Sequence, residues 1–496
     1  MNRGKAGIVL LVALLGAIVP CLPGAAQARG RDRALEARLM EHITVLASDA
    51  FEGREPGTEG EARTLRYLGK QWFDIGLVSG TNDPGNEWFA PVMLVERVPS
   101  ASTAQFKRNG RRLTLAQDEV LMLTSGNRSL VRDAPVLFVG KADGEIPDRT
   151  ELAGRVALLL DGGREDSDRQ NALLAGGASA VLTVLDGDRT LENVAARRRR
   201  SGYALVQDAT GGDLEGFVTS QGMERLLRGS GVTLESLEQA AVRQTFVPRP
   251  LSMSASLEAT TRETTIRTHN LIGKLPGRRP GTGAVLFVAH WDHFGICAEL
   301  PAEDIICNGA IDNASGLAAL TEVARRLARG PRLDRDIYFL ATTAEELGLL
   351  GAHAFAEDPP LPLSQIVAAF NIDSDAIAPR GTPLAIVGRG MTGLDEQIAA
   401  VAKRERRRLV DSDAANAYVR RQDGWALLQH DIPAVLVSSA YGDIRRMEAF
   451  FESDYHRPSD DLKHKIQLGG AAEDVAFHVA LARWFADVRR VPPPGG

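Results

Sequence analysis

Hydrophobic residues fall into two rhythms along this chain. Val285 to Ala289 is a short, wholly apolar run, the pattern of a parallel strand buried on both faces. It stops at His290, Trp291, Asp292 and His293. The same grammar recurs twice: Asp336 to Ala341 runs into Glu345 and Glu346, and Val367 to Ile372 runs into Asp373. Helical spacing appears in residues 33–47 (Leu35, Leu39, Ile43, Leu46), in residues 61–75 before Gly76, and in Leu317 to Leu327, with Ser315 as its expected cap. Between the first two helices lies a turn-rich stretch containing Glu52-Gly53-Arg54 and Pro56-Gly57.

From about residue 87 to 125 the pattern is short and strand-like, with turns at Asn109-Gly110 and Gly126-Asn127. Residues 134–209 read as a separate unit, with strands at 135–139, 155–160 and 181–185 and a helix starting at Gln170. The predicted organisation is a leader (1–28), an N-terminal part of the main domain (29–125), an insertion (126–250), the ligand-bearing core (251–490) and a Pro/Gly tail (491–496). The fold class is α/β.

The leader is read from Arg3 and Lys5, the apolar run Ile8 to Val19, and Ala26-Gln27-Ala28, a small-x-small cleavage pattern. Cutting after Ala28 would send the protein to the periplasm or outside the cell; Pro20 before Cys21 fits a lipidation site poorly. No later stretch is long and apolar enough to span a bilayer. Loss of Cys21 leaves Cys297 and Cys307, an even pair in an oxidising compartment, expected to bridge and pin a loop between His290 and Asp312. At 496 residues with a formal charge of -6, the chain gives no reason to expect a nucleic-acid partner.

Taken singly, the candidate groups are ordinary. Asp312, in Asn308-Gly-Ala-Ile-Asp-Asn-Ala-Ser-Gly316, reads as a turn residue, Glu345-Glu346 as a solvated pair, and His456 as a loop histidine near carboxylates. Together, His290, Asp292, Asp312, Glu345, Glu346, Asp373 and His456 mix imidazole with carboxylate oxygen in the way zinc prefers. Two histidines and three carboxylates suit two ions sharing one carboxylate, with one of the two adjacent glutamates left free to move a proton.

The stretches AHWDH, NGAIDNASG, TTAEELGLLGA, FNIDSD and DYHRPSDD, with LASDAFEGREPGTEG near the start, resemble the di-zinc exopeptidase family of bacterial leucyl-type aminopeptidases, glutamate carboxypeptidases and the transferrin receptor. LAGRVALLLDGG and AGGASAVLTV are similar to a protease-associated domain. The resemblance implies a three-layer α/β/α domain with a mixed, mainly parallel sheet, and a β-rich protease-associated insertion. It implies two Zn2+ ions, one on His290 and Asp373, the other on Glu346 and His456, with Asp312 bridging. Glu345 would be the general base and Asp292 the partner that orients His290; His293 is expected to pack behind the site. A peptide is the implied substrate, cut at its N-terminus. Ile311 and the segment Arg420 to Trp425 depart from the family pattern, and Tyr441 and Tyr455 both remain candidates for stabilising the oxyanion. A carboxypeptidase using Arg389, Arg420 or Arg421, a one-zinc glutaminyl cyclase and a non-catalytic secreted binding protein are the alternatives.

Overall fold

The computed structural model describes residues 23–82, 85, 88–141, 145–161, 166–186, 189–200, 202–208, 212–243, 245–463 and 466–494. The basic and apolar parts of the leader lie outside them. Helix α1 (Pro23–Leu46) starts well before the periodic stretch, so Ala26 to Ala28 sit in its first turns. Its Leu35, Leu39, Ile43 and Leu46 are all buried, as their spacing requires. After the turn at 49–54 comes α2 (Glu59–Ile75), closed by Gly76.

Strand β1 (Phe89–Arg108) leads into β2 (Val120–Thr124), β3 (Arg128–Lys141), β4 (Val156–Leu160), β5 (Ala180–Val184) and β6 (Leu214–Val218). β3 to β6 are parallel neighbours, with β2 antiparallel on β6. Phe138, Leu158, Leu182, Val218 and Met223 form an apolar core here that is separate from the main one and draws residues from Phe106 to Ala259. The long strand β7 (Arg249–Leu275) pairs antiparallel with β1 along most of its length and joins this unit to the rest of the sheet.

The remaining strands are β8 (Ala284–His290), β9 (Asp336–Thr342), β10 (Ile366–Asn371), β11 (Ala385–Val387) and β12 (Ala434–Ser438). Their order is β11-β12-β10-β8-β9-β7; the four central strands of this set are parallel, and the two that flank them run antiparallel to them. Each residue of β8 is buried, and alternate side chains serve different cores. Val285, Phe287 and Ala289 pack under α1, α2, α3 (Gly316–Ala328) and α7 (Leu468–Phe485). Leu286 and Val288 pack with Phe355 of α4 (Leu350–Glu357) and Leu427 of α6 (Asp423–Gln429). On the first side α5 (Asp395–Glu405) adds Ile398 and Val401. The result is the three-layer α/β/α arrangement, with its ligand-type residues along one sheet edge.

Candidate metal centre

A parallel sheet covered on both faces leaves only its strand ends open, and sites form at the carboxyl edge. His290 is the last residue of β8. Glu345 and Glu346 follow β9 in a tight turn that begins at Ala344 (φ 52). Asp373 follows β10, and His456 sits on the loop after helix 444–453. Asp312 arrives on the turn Ala310–Ser315 that feeds α3.

The structure brings these groups together. His290 Nε2 lies 3.2 Å from Asp312 Oδ1 and 3.6 Å from Asp373 Oδ1. His456 Nε2 lies 2.9 Å from Glu346 Oε2 and 3.5 Å from Asp312 Oδ2. Asp312 therefore presents one oxygen to each histidine. Donor atoms of His290, Asp312 and Glu346 all fall within 4.8 Å of one another, and so do those of His290, Glu345 and Asp373. His290 Nε2, His456 Nε2 and Asp312 Oδ2 are buried and face one another at ion-pair distances without hydrogen-bond geometry, an arrangement that a cation between them would satisfy.

Electrostatics point the same way. Burial pushes the Glu345 carboxyl well above the usual carboxylate range, with Glu346, Asp373 and Asp423 adding to the rise and His290 opposing it. Burial opposes charge on His456 too, but Glu346 and Asp312 outweigh it and hold the imidazole at about 9. A cluster this anionic fits divalent cations, and its N/O donor set fits zinc.

Supporting contacts fix the donors. His293 Nδ1 meets Glu346 Oε1 at 2.5 Å, so His293 stands behind a candidate ligand. The Asp292 carboxylate accepts the backbone N–H groups of Glu345 (3.1 Å) and Glu346 (3.3 Å). It lies 3.8 Å from His290 Nδ1, which instead sits 3.2 Å from the Asp292 carbonyl. Its hydrogen bonds thus hold the glutamate turn, while the histidine is steered by main chain. Ser315 does not cap α3 through its side chain. Its own backbone is already helical, so the hydroxyl turns back to Ile311 O (2.7 Å) and accepts the N–H of Asp375 (3.0 Å).

Several participants carried no signal by themselves. Asp460 accepts the N–H groups of Ile311 (2.9 Å) and Asp312 (3.0 Å). Asn313 donates to Ile372 O and accepts from Ser374 N, tying the Asp312 turn to the Asp373 loop. Arg54 is buried beneath both. The acidic run after His456 is the available hint for Asp460, and the stretch LASDAFEGREPGTEG the hint for Arg54, but neither shows which segments the side chain reaches across more than 230 residues of sequence. The Tyr455 ring stacks on His456 with centroids 3.6 Å apart, and Phe294 covers it at 4.4 Å, whereas Tyr441 is buried in an apolar cluster with Ile311. Cys297 and Cys307 are bridged, and the loop they close packs against the turn at Gly53.

Fold and donor set together define a metallopeptidase-type site. Residues 270–480, which include every candidate ligand, match the model for peptidase family M28. A stretch of 204 residues is 26% identical to a probable lipoprotein aminopeptidase, LpqL, of Mycobacterium tuberculosis, covering 35% of this chain and 39% of that protein. The match thus spans about two fifths of that relative. An aminopeptidase from Aneurinibacillus sp. strain AM-1 shares the fold, with a TM-score of 0.55 at 20% identity over 91% of this chain and 93% of the other.

Proposed function

We propose that the chain is an exported zinc aminopeptidase that removes residues from peptide N-termini. The carrying observation is the anionic surplus of the site. Asp292, Asp312, Glu345, Glu346 and Asp373, with Asp423 and Asp460 buried beside them, outnumber the charge of two divalent cations and the buried Arg54 guanidinium even with the Glu345 carboxyl protonated, so the pocket would stay slightly acidic. Such a field favours a terminal ammonium over a terminal carboxylate. Of the arginines considered for a terminal carboxylate, Arg389 pairs with Asp411 at 2.7 Å, and Arg420 and Arg421 lie over Trp425 and Tyr418.

His290 and Asp373 would hold one ion, Glu346 and His456 the other, and Asp312 both. When bound, the pair would polarise the scissile carbonyl and make a water nucleophilic near neutral pH. Glu345 takes the proton from that water and returns it to the departing amine. Asp292 keeps Glu345 aimed through its backbone N–H, and His293 holds the Glu346 carboxylate in place. Phe294 and Tyr455 fix the His456 ring between them. The unit expected over 126–250 takes in more on both sides, since its core runs from Phe106 to Ala259 and β2 pairs with β6; we read it as an inserted module of the protease-associated kind. Export rests on the leader pattern ending at Ala28; among the described residues no helix is long and apolar enough to cross a membrane.

The test is mass spectrometry of peptides, free or acetylated at the amine, incubated with the mature chain and zinc. A ladder from the N-terminus that acetylation blocks is expected. A ladder from the opposite end would move the assignment to a carboxypeptidase, and loss of ammonia from N-terminal Gln to a cyclase. No cleavage in the presence of stoichiometric zinc would leave only a binding protein.

A further inference from the structure

Arg54 lies in the turn Glu52-Gly53-Arg54, which the proposed reaction does not use. Its side chain is fully buried, and its backbone adopts φ 55. A guanidinium carries five N–H donors. Here Nε donates to Trp291 O (2.9 Å), Nη1 to Leu46 O (2.9 Å) and Asn308 O (2.6 Å), and Nη2 to Gly309 O (3.0 Å) and, more weakly, Asp312 O (3.4 Å). All five donors end on main-chain carbonyls. Trp291 separates His290 from Asp292, and residues 308–312 are the turn that delivers Asp312. The approach is close enough to demand glycine at 309: a Cβ there would come within 2.8 Å of Arg54 Nη2 and 2.0 Å of Asp312 O.

We propose that Arg54 is a positioning residue of the metal centre, fixing the His290 strand end and the Asp312 turn relative to each other and thereby setting how tightly the ions are held. A buried cation is expensive without a matching negative field. Arg54 has no carboxylate within ion-pair distance among the described residues, and the acidic groups acting on it are Asp312, Asp460, Asp292 and Glu346, those of the site itself. An arginine serving only the hydrophobic core would not need to sit there. The fork also matters: it spans two separate ligand-bearing segments and the end of α1, which the three donors of a compact lysine ammonium cannot do.

This inference rests on the zinc reading above, and its test separates the two. Zinc affinity is measured by competition with a chromophoric chelator for the wild-type chain and R54K, alongside the unfolding midpoint of each metal-free protein and the visible spectrum with cobalt. Wild type should bind zinc; if it does not, the metal reading itself falls. R54K is expected to lose about 10- to 100-fold in zinc affinity, the usual effect of removing a residue that supports a ligand. Its cobalt spectrum should change while the metal-free protein remains folded. As a second variant, R54A should regain part of the lost affinity when low-millimolar guanidinium is supplied. Wild-type zinc affinity in R54K, or a metal-free R54K that no longer folds together with an R54A that guanidinium does not rescue, overturns the assignment.

Discussion

Asp292 acts on the site through geometry more than through charge. By accepting two consecutive backbone N–H groups it sets the directions in which Glu345 and Glu346 point, and in the proposed reaction this would divide their work between proton transfer and ligation. Glu345 is the member with no direct imidazole ion pair among the described residues, whereas Glu346 meets both His293 and His456. Glu345→Gln should therefore leave zinc content at the wild-type level and lower kcat by about 10²- to 10⁴-fold, the range of a lost general base. Metal analysis beside steady-state kinetics checks this; an active E345Q holding its zinc would remove Glu345 from the mechanism.

At the scale of elements, the packing of α1 on α3 carries a titratable lock. Glu322 of α3 is buried and takes hydrogen bonds from Arg38 (2.8 Å) and Arg325 (2.8 Å), with His42 Nε2 at 3.6 Å. Burial alone would raise its pKa, but His42 and the arginines outweigh that and hold it at about 2, below its ordinary 4.5. A depressed folded-state pKa adds stability above the unfolded value, and that stability is lost as pH falls. The contribution should be complete above pH 4.5 and disappear between there and about 2; this shift corresponds to on the order of 3 kcal/mol. Urea titrations at several pH values should show a shallower acid-side decline in Glu322→Gln than in wild type. Equal slopes would show that the pair is not tuned in this way. Both helices were legible from apolar spacing, but this contact was not, since Arg38 and Glu322 are 284 residues apart.

For the molecule as a whole, three loops and two strand ends must arrive together before the donors converge, so metal binding should report on global folding. Chelation should abolish peptide cleavage and lower the unfolding midpoint, and zinc should restore both. With free zinc a hundredfold above Kd, the gain is expected to be on the order of 3 kcal/mol per site. Calorimetry with and without chelator tests this, and an unchanged midpoint would mean that no ion couples the strand ends.

The sequence by itself determined the parallel core strands, since a continuous apolar run such as Val285 to Ala289 is stable only where both faces are covered. It also marked the chemical alphabet of the site, because His290, Glu345, Glu346 and Asp373 stand where those runs break, and the pair that closes the 297–307 loop. Tertiary structure decided what those letters do. Asp292 turned to the glutamate backbone, Ser315 gave up its cap, and Arg54 and Asp460 entered from distant turns. These roles depend on hydrogen bonds between segments far apart in the chain, and such pairings leave no periodicity to read. Hydrophobic burial is written locally, residue by residue; the direction of a buried donor is settled only when the chain has closed around it.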